Sequence, residues 1–129
     1  MLLITGLYAA ITAIFAILLG LWVANIRGKQ KIGVGDKGTL DMIVPMRTHA
    51  NLIENTSLLF ILFACAELSG LGVVWLHLVG VIWLIARPLH AWGMLKGRGR
   101  FHIGRFAGTI FSWGCIIALA IANIYLFLK

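Results

Sequence analysis

Apolar residues run almost without interruption over four stretches of this chain, and polar residues gather between them. Leu2 to Ile26 is nearly unbroken, and Val44 to Leu68 is polar in its first three turns and apolar from Leu58 onward. Val73 to Trp92 and Phe106 to Leu128 follow, separated from the second run only by the tight break Ser69–Gly72 and from each other by a basic segment. Each run is close to the ~20 residues a helix needs to cross the hydrocarbon of a bilayer. Spanning segments must satisfy their own backbone, and at this length only helices do so. The pattern predicts an all-α fold: one integral membrane four-helix bundle over residues 1–129, with spans at about 2–26, 44–68, 73–92 and 106–128.

Composition agrees. Of 129 residues, 61% are hydrophobic and 12% charged, and the mean hydropathy is +1.00. A soluble domain this short has no core large enough for so much apolar surface. The first run lacks a basic leader and a small-residue cleavage motif, so it reads as a retained span.

The net charge of +7 fixes orientation rather than pointing to nucleic acid. Arg27, Lys29, Lys31, Lys37 and Arg47 lie around the first connection, and Lys96, Arg98, Arg100 and Arg105 around the third. The opposite side offers only Lys129. By the positive-inside rule both basic loops are expected in the cytoplasm and both termini outside. Cys65 and Cys115 lack metal or redox spacing and read as buried small hydrophobes, and no metal site is expected.

Charge on a spanning segment is costly, so the polar start of the second run is a functional hypothesis. In "MRTHANLIEN", Arg47, Asn51 and Glu54 stand at i, i+4, i+7 and share a helix face, with Asn55 adjacent and His49 turned away. On the third run Arg87, His90 and Met94 share another face, and Pro88 is expected to kink the helix. Arg27 ends the first run and Arg105 opens the fourth. All gather at the basic end. They suit either a charged network bracing the bundle or a cationic pocket for an anionic ligand beside an apolar, lipid-facing wall.

The segment "RTHANLIEN", with the four-span topology, the basic first loop and "GRF" opening the last helix, resembles the MAPEG family. These are the membrane-associated proteins of eicosanoid and glutathione metabolism, and the resemblance covers essentially the whole chain. It departs at Asn55, Ser57 and Met94, where an aromatic, Pro and Tyr are usual, as suits a bacterial-type member. The resemblance implies homotrimers binding glutathione in clefts between protomers at the cytoplasmic side. Carried over by position, Arg47, Asn51, Glu54, His90, Arg27 and His49 would hold glutathione, and Arg105 would stabilise its thiolate. A thiolate so activated attacks a hydrophobic electrophile or lipid hydroperoxide arriving from the bilayer, and no protein nucleophile is needed.

Two other functions stay open. A non-catalytic lipid- or glutathione-binding member would keep the fold without the chemistry. A small proton-coupled multidrug exporter would need an acid in its first span, and Leu2–Ile26 has none. Elsewhere, Glu67 and His77 read as a capping or interhelical hydrogen-bond pair, and His102 as solvated. Trp22, Trp92 and Tyr125 read as interface anchors, and Trp75, Trp83 and Trp113 as packing residues. "GMLKG" and "GRFAG" suggest close helix contact.

Overall fold

A computed structural model describes Met1–Lys129. It contains four helices and no strand: α1 (Leu3–Gln30), α2 (Leu40–Leu68), α3 (Val73–Lys96) and α4 (Ile103–Leu128). Each is long and apolar enough to cross a membrane. The chain is a multi-pass membrane protein.

At the basic end every helix runs about a turn beyond its apolar stretch. Apolarity marks what lies in hydrocarbon, whereas backbone hydrogen bonding continues into the headgroup region until a turn residue ends it. Lys31, at φ 52, ends α1 in the left-handed conformation. Gly70, at φ +86, makes the short α2–α3 turn, where Leu71 N–H reaches back to the Ala66 carbonyl. The longer helices matter for function. Arg27, Arg47 and Arg105 stand on helical turns and are aimed by them.

The helices alternate in direction, so the chain termini and the α2–α3 turn share one end and the two basic loops share the other. α2 touches all three other helices, α1 packs on α2 and α3, and α1 and α4 do not meet. α3 and α4 are the most closely joined pair. Their glycines explain the approach: a Cβ at Gly93 would strike the backbone of Arg105, and one at Gly108 would lie 2.6 Å from His90 N. The close contact expected from "GMLKG" and "GRFAG" is present. α3 continues as one helix through Pro88, which has no N–H to offer the Leu84 carbonyl.

The core is centred on Trp83, Phe63, Leu59, Leu76 and Leu119, with Tyr8 from α1. Polar ties cross it. Trp83 Nε1 donates to Thr12 Oγ1 at 3.1 Å, and Asn123 donates to the Leu62 carbonyl at 2.9 Å.

Several sequence expectations need correction here. Glu67 and His77 do make capping and interhelical bonds, but each with α1 and not with the other. Glu67 accepts from Ile4 N at 3.0 Å and Thr5 N at 2.7 Å, capping α1, because the first turn of a helix has unsatisfied N–H groups. His77 instead meets the Tyr8 hydroxyl, 2.9 Å from Nδ1. His102 caps α4, accepting from Gly104 N, and sits edge-on to Trp92 with ring centroids 4.7 Å apart. Cys65 is exposed and only Cys115 is buried. Of the three packing tryptophans only Trp83 is enclosed; Trp75 and Trp113 lie on the outer, lipid-facing surface. Periodicity in a run that is apolar on every side does not say which face is inward.

Gly108→Ala is expected to lower stability by about 1–3 kcal/mol, because the added methyl meets backbone on α3 that cannot give way. Gly114→Ala, with open space around it, should change little. Thermal unfolding in detergent followed by circular dichroism checks both; equal midpoints would mean the α3–α4 contact is looser than described.

Candidate functional site

The basic end carries a recess of about 370 Å³ built by three helices and a loop. Arg47 comes from α2, Met94 from α3, Arg98 and Arg100 from the α3–α4 connection, and Arg105 from the first turn of α4. The connection turns tightly, with Arg98 and Gly99 both at positive φ. Arg105 holds it there: its Nη1 donates to the Gly99 carbonyl at 2.5 Å and more weakly to that of Arg100. Its Nη2 and Nε make no hydrogen bond within the protein. Arg98 is paired with Asp41 at 2.8 Å. Two arginines therefore pin the loop, and the recess keeps more cationic groups than carboxylates.

Arg47 reaches one turn pair along α2 to Glu54 at 3.5 Å, with both side chains more than half exposed. At that distance the contact is long for a charged hydrogen bond. Its guanidinium remains free to turn toward the recess that it lines.

A second polar cluster lies deeper. Arg87 is only 3% exposed, near the middle of α3. Its Nη2 donates to Asn51 Oδ1 at 2.9 Å and its Nη1 to Ser112 Oγ at 3.2 Å. The guanidinium carbon is 5.3 Å from the centre of the Trp83 ring, within cation–π range. Through the Trp83–Thr12 bond the cluster joins all four helices. Neither Arg87 salt bridge nor buried carboxylate is present, and Arg87 Nε has no partner. One turn on, His90 is equally buried, packed on Gly108, with Nδ1 also unpartnered.

The residues expected to form one site thus fall into separate groups. Arg47 and Arg105, far apart in sequence, share the recess. Asn51 shares a helix with Arg47 and Glu54, but its carbonyl oxygen is committed to Arg87. His90 lies inside the α3–α4 seam. Arg27 and His49 lie outside the recess. Arg27 folds the α1–α2 loop, donating to the carbonyls of Gly33 and Gly35, the latter at 3.0 Å. His49 faces α1 against Gly20, in a separate apolar cavity of about 240 Å³.

Arg87, grouped by its sequence position with the cationic residues of the basic end, instead turns inward to Asn51, Ser112 and the Trp83 ring, and Ser112 is the partner that sequence reasoning missed. A signal was there: a lone arginine inside "VGVIWLIARPLH" has to be paired.

Four membrane-length helices around a buried guanidinium, with a cationic recess at one end, define a small multi-pass membrane protein of the bundle class. The MAPEG family model matches residues 5–125, and the chain belongs to that family. It is similar to the inner membrane protein YecN of Escherichia coli strain K12, 23% identical over 122 residues, which span 95% of this chain and 91% of the relative. The YecN of Escherichia coli O6:H1 matches to the same extent. No solved structure matches the chain.

Asn51→Leu removes the acceptor for Arg87 Nη2 and is expected to cost about 1–3 kcal/mol, toward the upper end for interhelical bonds in membranes. Ser112→Ala, at the longer 3.2 Å bond, should cost less. Unfolding in detergent reads both, and an unchanged Asn51→Leu midpoint would remove that bond from the bracing.

Proposed function

We propose that this protein is a membrane-bound glutathione-dependent transferase or peroxidase, with the cationic recess as its thiol site. The observation that carries the reading is the meeting of Arg47 and Arg105 in one recess, in a chain of the MAPEG family. Glutathione has two carboxylates, an ammonium and a thiol. Guanidiniums grip carboxylates through paired N–H groups, which suits Arg47 and Arg100. Glu54 offers a carboxylate for the ammonium. Arg105 has Nη2 and Nε free while its Nη1 is anchored, so it can hold positive charge beside a sulfur without moving. A cation there favours the thiolate, the reactive form. The hydrophobic electrophile or lipid hydroperoxide then arrives through the apolar surface.

Homotrimers fit Glu54. It stands at the middle of α2 with its side chain 55% exposed on the protomer surface. A carboxylate at that depth does not face lipid, so another copy is expected to cover it. Orientation follows the basic loops, which puts the recess on the cytoplasmic side, and the likeness to the inner membrane protein YecN supports the bacterial inner membrane.

One observation favours a second reading, binding without turnover: Arg105 already has a structural duty to the Gly99 carbonyl. The experiment that separates the two is a titration of purified protein with glutathione, following thiolate absorbance against pH. The bound thiol is expected to ionise below the free thiol's pKa of ~8.5. Arg105→Leu should raise it again and lower turnover more than binding, with Arg105→Lys restoring part of the effect. No lowered ionisation in the wild type, in a sample whose native mass is a trimer, leaves the binding-only reading; a stable monomer would overturn the covered Glu54.

Orientation has its own check. A C-terminal reporter active only in the cytoplasm should stay silent, and a bright signal would move the recess to the other face.

A further inference from the structure

The recess holds more guanidinium than a peptide thiol can use. Arg47, Arg98, Arg100 and Arg105 all line it. Glutathione brings two carboxylates and a thiolate, offset by an ammonium. A phosphate chain, such as that of a nucleotide, carries more negative charge, and guanidiniums grip phosphate as well as carboxylate. Charge alone would therefore favour the phosphate chain. To prefer the peptide, the site needs a feature that works against its competitor.

Asp41 is placed to be that feature. It stands in the first turn of α2, where the helix N-terminus favours a carboxylate. Its Oδ1 accepts from Arg98 Nη2 at 2.8 Å, the shorter of the two ion pairs in the chain. Arg98 lines the recess and also a neighbouring cavity of about 210 Å³ between α1, α2 and α3. Asp41 lines only the second. The carboxylate thus holds the Arg98 guanidinium on the side away from the recess.

The backbone there does not depend on this pair alone. Arg98 and Gly99 turn at φ 48 and +78, and Arg105 Nη1 fixes the Gly99 carbonyl from the other side. Loss of the Asp41 charge would release the Arg98 side chain and leave the loop in place. Two effects of one sign would follow: a repelling charge goes, and an attracting one is freed.

We propose that Asp41 sets the selectivity of the recess: by withholding Arg98 it limits the negative charge the site accepts, and so rejects phosphate chains in favour of a peptide dicarboxylate. The inference rests on the reading of the recess as the glutathione site.

The test is calorimetric titration of the purified protein, in nonionic detergent at low salt, with glutathione and with inorganic tripolyphosphate. Asp41→Asn is expected to raise tripolyphosphate affinity roughly fivefold or more and glutathione affinity about twofold at most, because the gain grows with ligand charge. A merely bracing ion pair would lower both affinities when broken. Adding Arg98→Gln to Asp41→Asn should remove the gain. Asp36→Asn deletes the same charge from the same end, where its carboxylate serves only the turn to Gly38, and should give a clearly smaller gain. No added preference for tripolyphosphate in Asp41→Asn, or an equal gain in Asp36→Asn, would overturn the proposal. A gain specific to Asp41→Asn in a protein that binds no glutathione would uphold the control of Arg98 by Asp41 and overturn the thiol reading instead.

Discussion

The bundle is organised by the requirement that one buried guanidinium be solvated by protein. A charged side chain at the bilayer centre costs about 2.5–3.5 kcal/mol on insertion scales and more on an isolated helix. Arg87 cannot be held by its own helix, so Asn51 of α2, Ser112 of α4 and the ring of Trp83 are drawn around it. Those contacts demand short distances between helices. Ser112 is brought within reach because Gly108, one turn earlier, lets α4 lie against His90 and Ala86 of α3. Trp83 is fixed in turn by Thr12 of α1. The glycine seam and the polar cluster are one device: small residues permit the approach, and the cation makes the approach specific.

This explains which parts were legible beforehand. Membrane-length apolar runs identify helices because hydrocarbon admits almost nothing else. The four helices, their order and the clustering of basic residues followed from that. Facing did not follow. Residues such as Trp75, Trp113 and Cys65 are apolar enough for either lipid or core, and only their neighbours decide. Partners across helices were also hidden. Glu67 and His77 read as a capping or interhelical pair, and each does make such a bond, but with α1: the carboxylate meets the free N–H groups of its first turn and the imidazole the Tyr8 hydroxyl. Asn51 was grouped with Arg47 on spacing, yet its oxygen turns to a residue 36 positions away.

The recess poses the opposite electrostatic problem to Arg87. Several guanidiniums converge where water reaches them, and repulsion between them is tempered by screening and by nearby acceptors. Asp41 takes Arg98, and loop carbonyls take part of Arg105. Arg47 meets Glu54 at only 3.5 Å, a long contact for a charged pair. A site of this kind is preformed for an anion. The loop that frames it is held by Arg105, a residue that also faces inward.

Arg105 therefore couples shape to charge. Fold and recess cannot be separated there, because one nitrogen of the guanidinium closes the α3–α4 loop while the others stay unpaired. Arg87 illustrates the same economy at greater depth, with two nitrogens bracing helices and Nε unsatisfied. A planar group with five donors can serve structure and still present a cation, which lysine, as a single point of charge, does less well. In a chain with so few polar groups in its membrane-spanning part, that divided use is what lets a small bundle be held together and still offer positive charge to something outside itself.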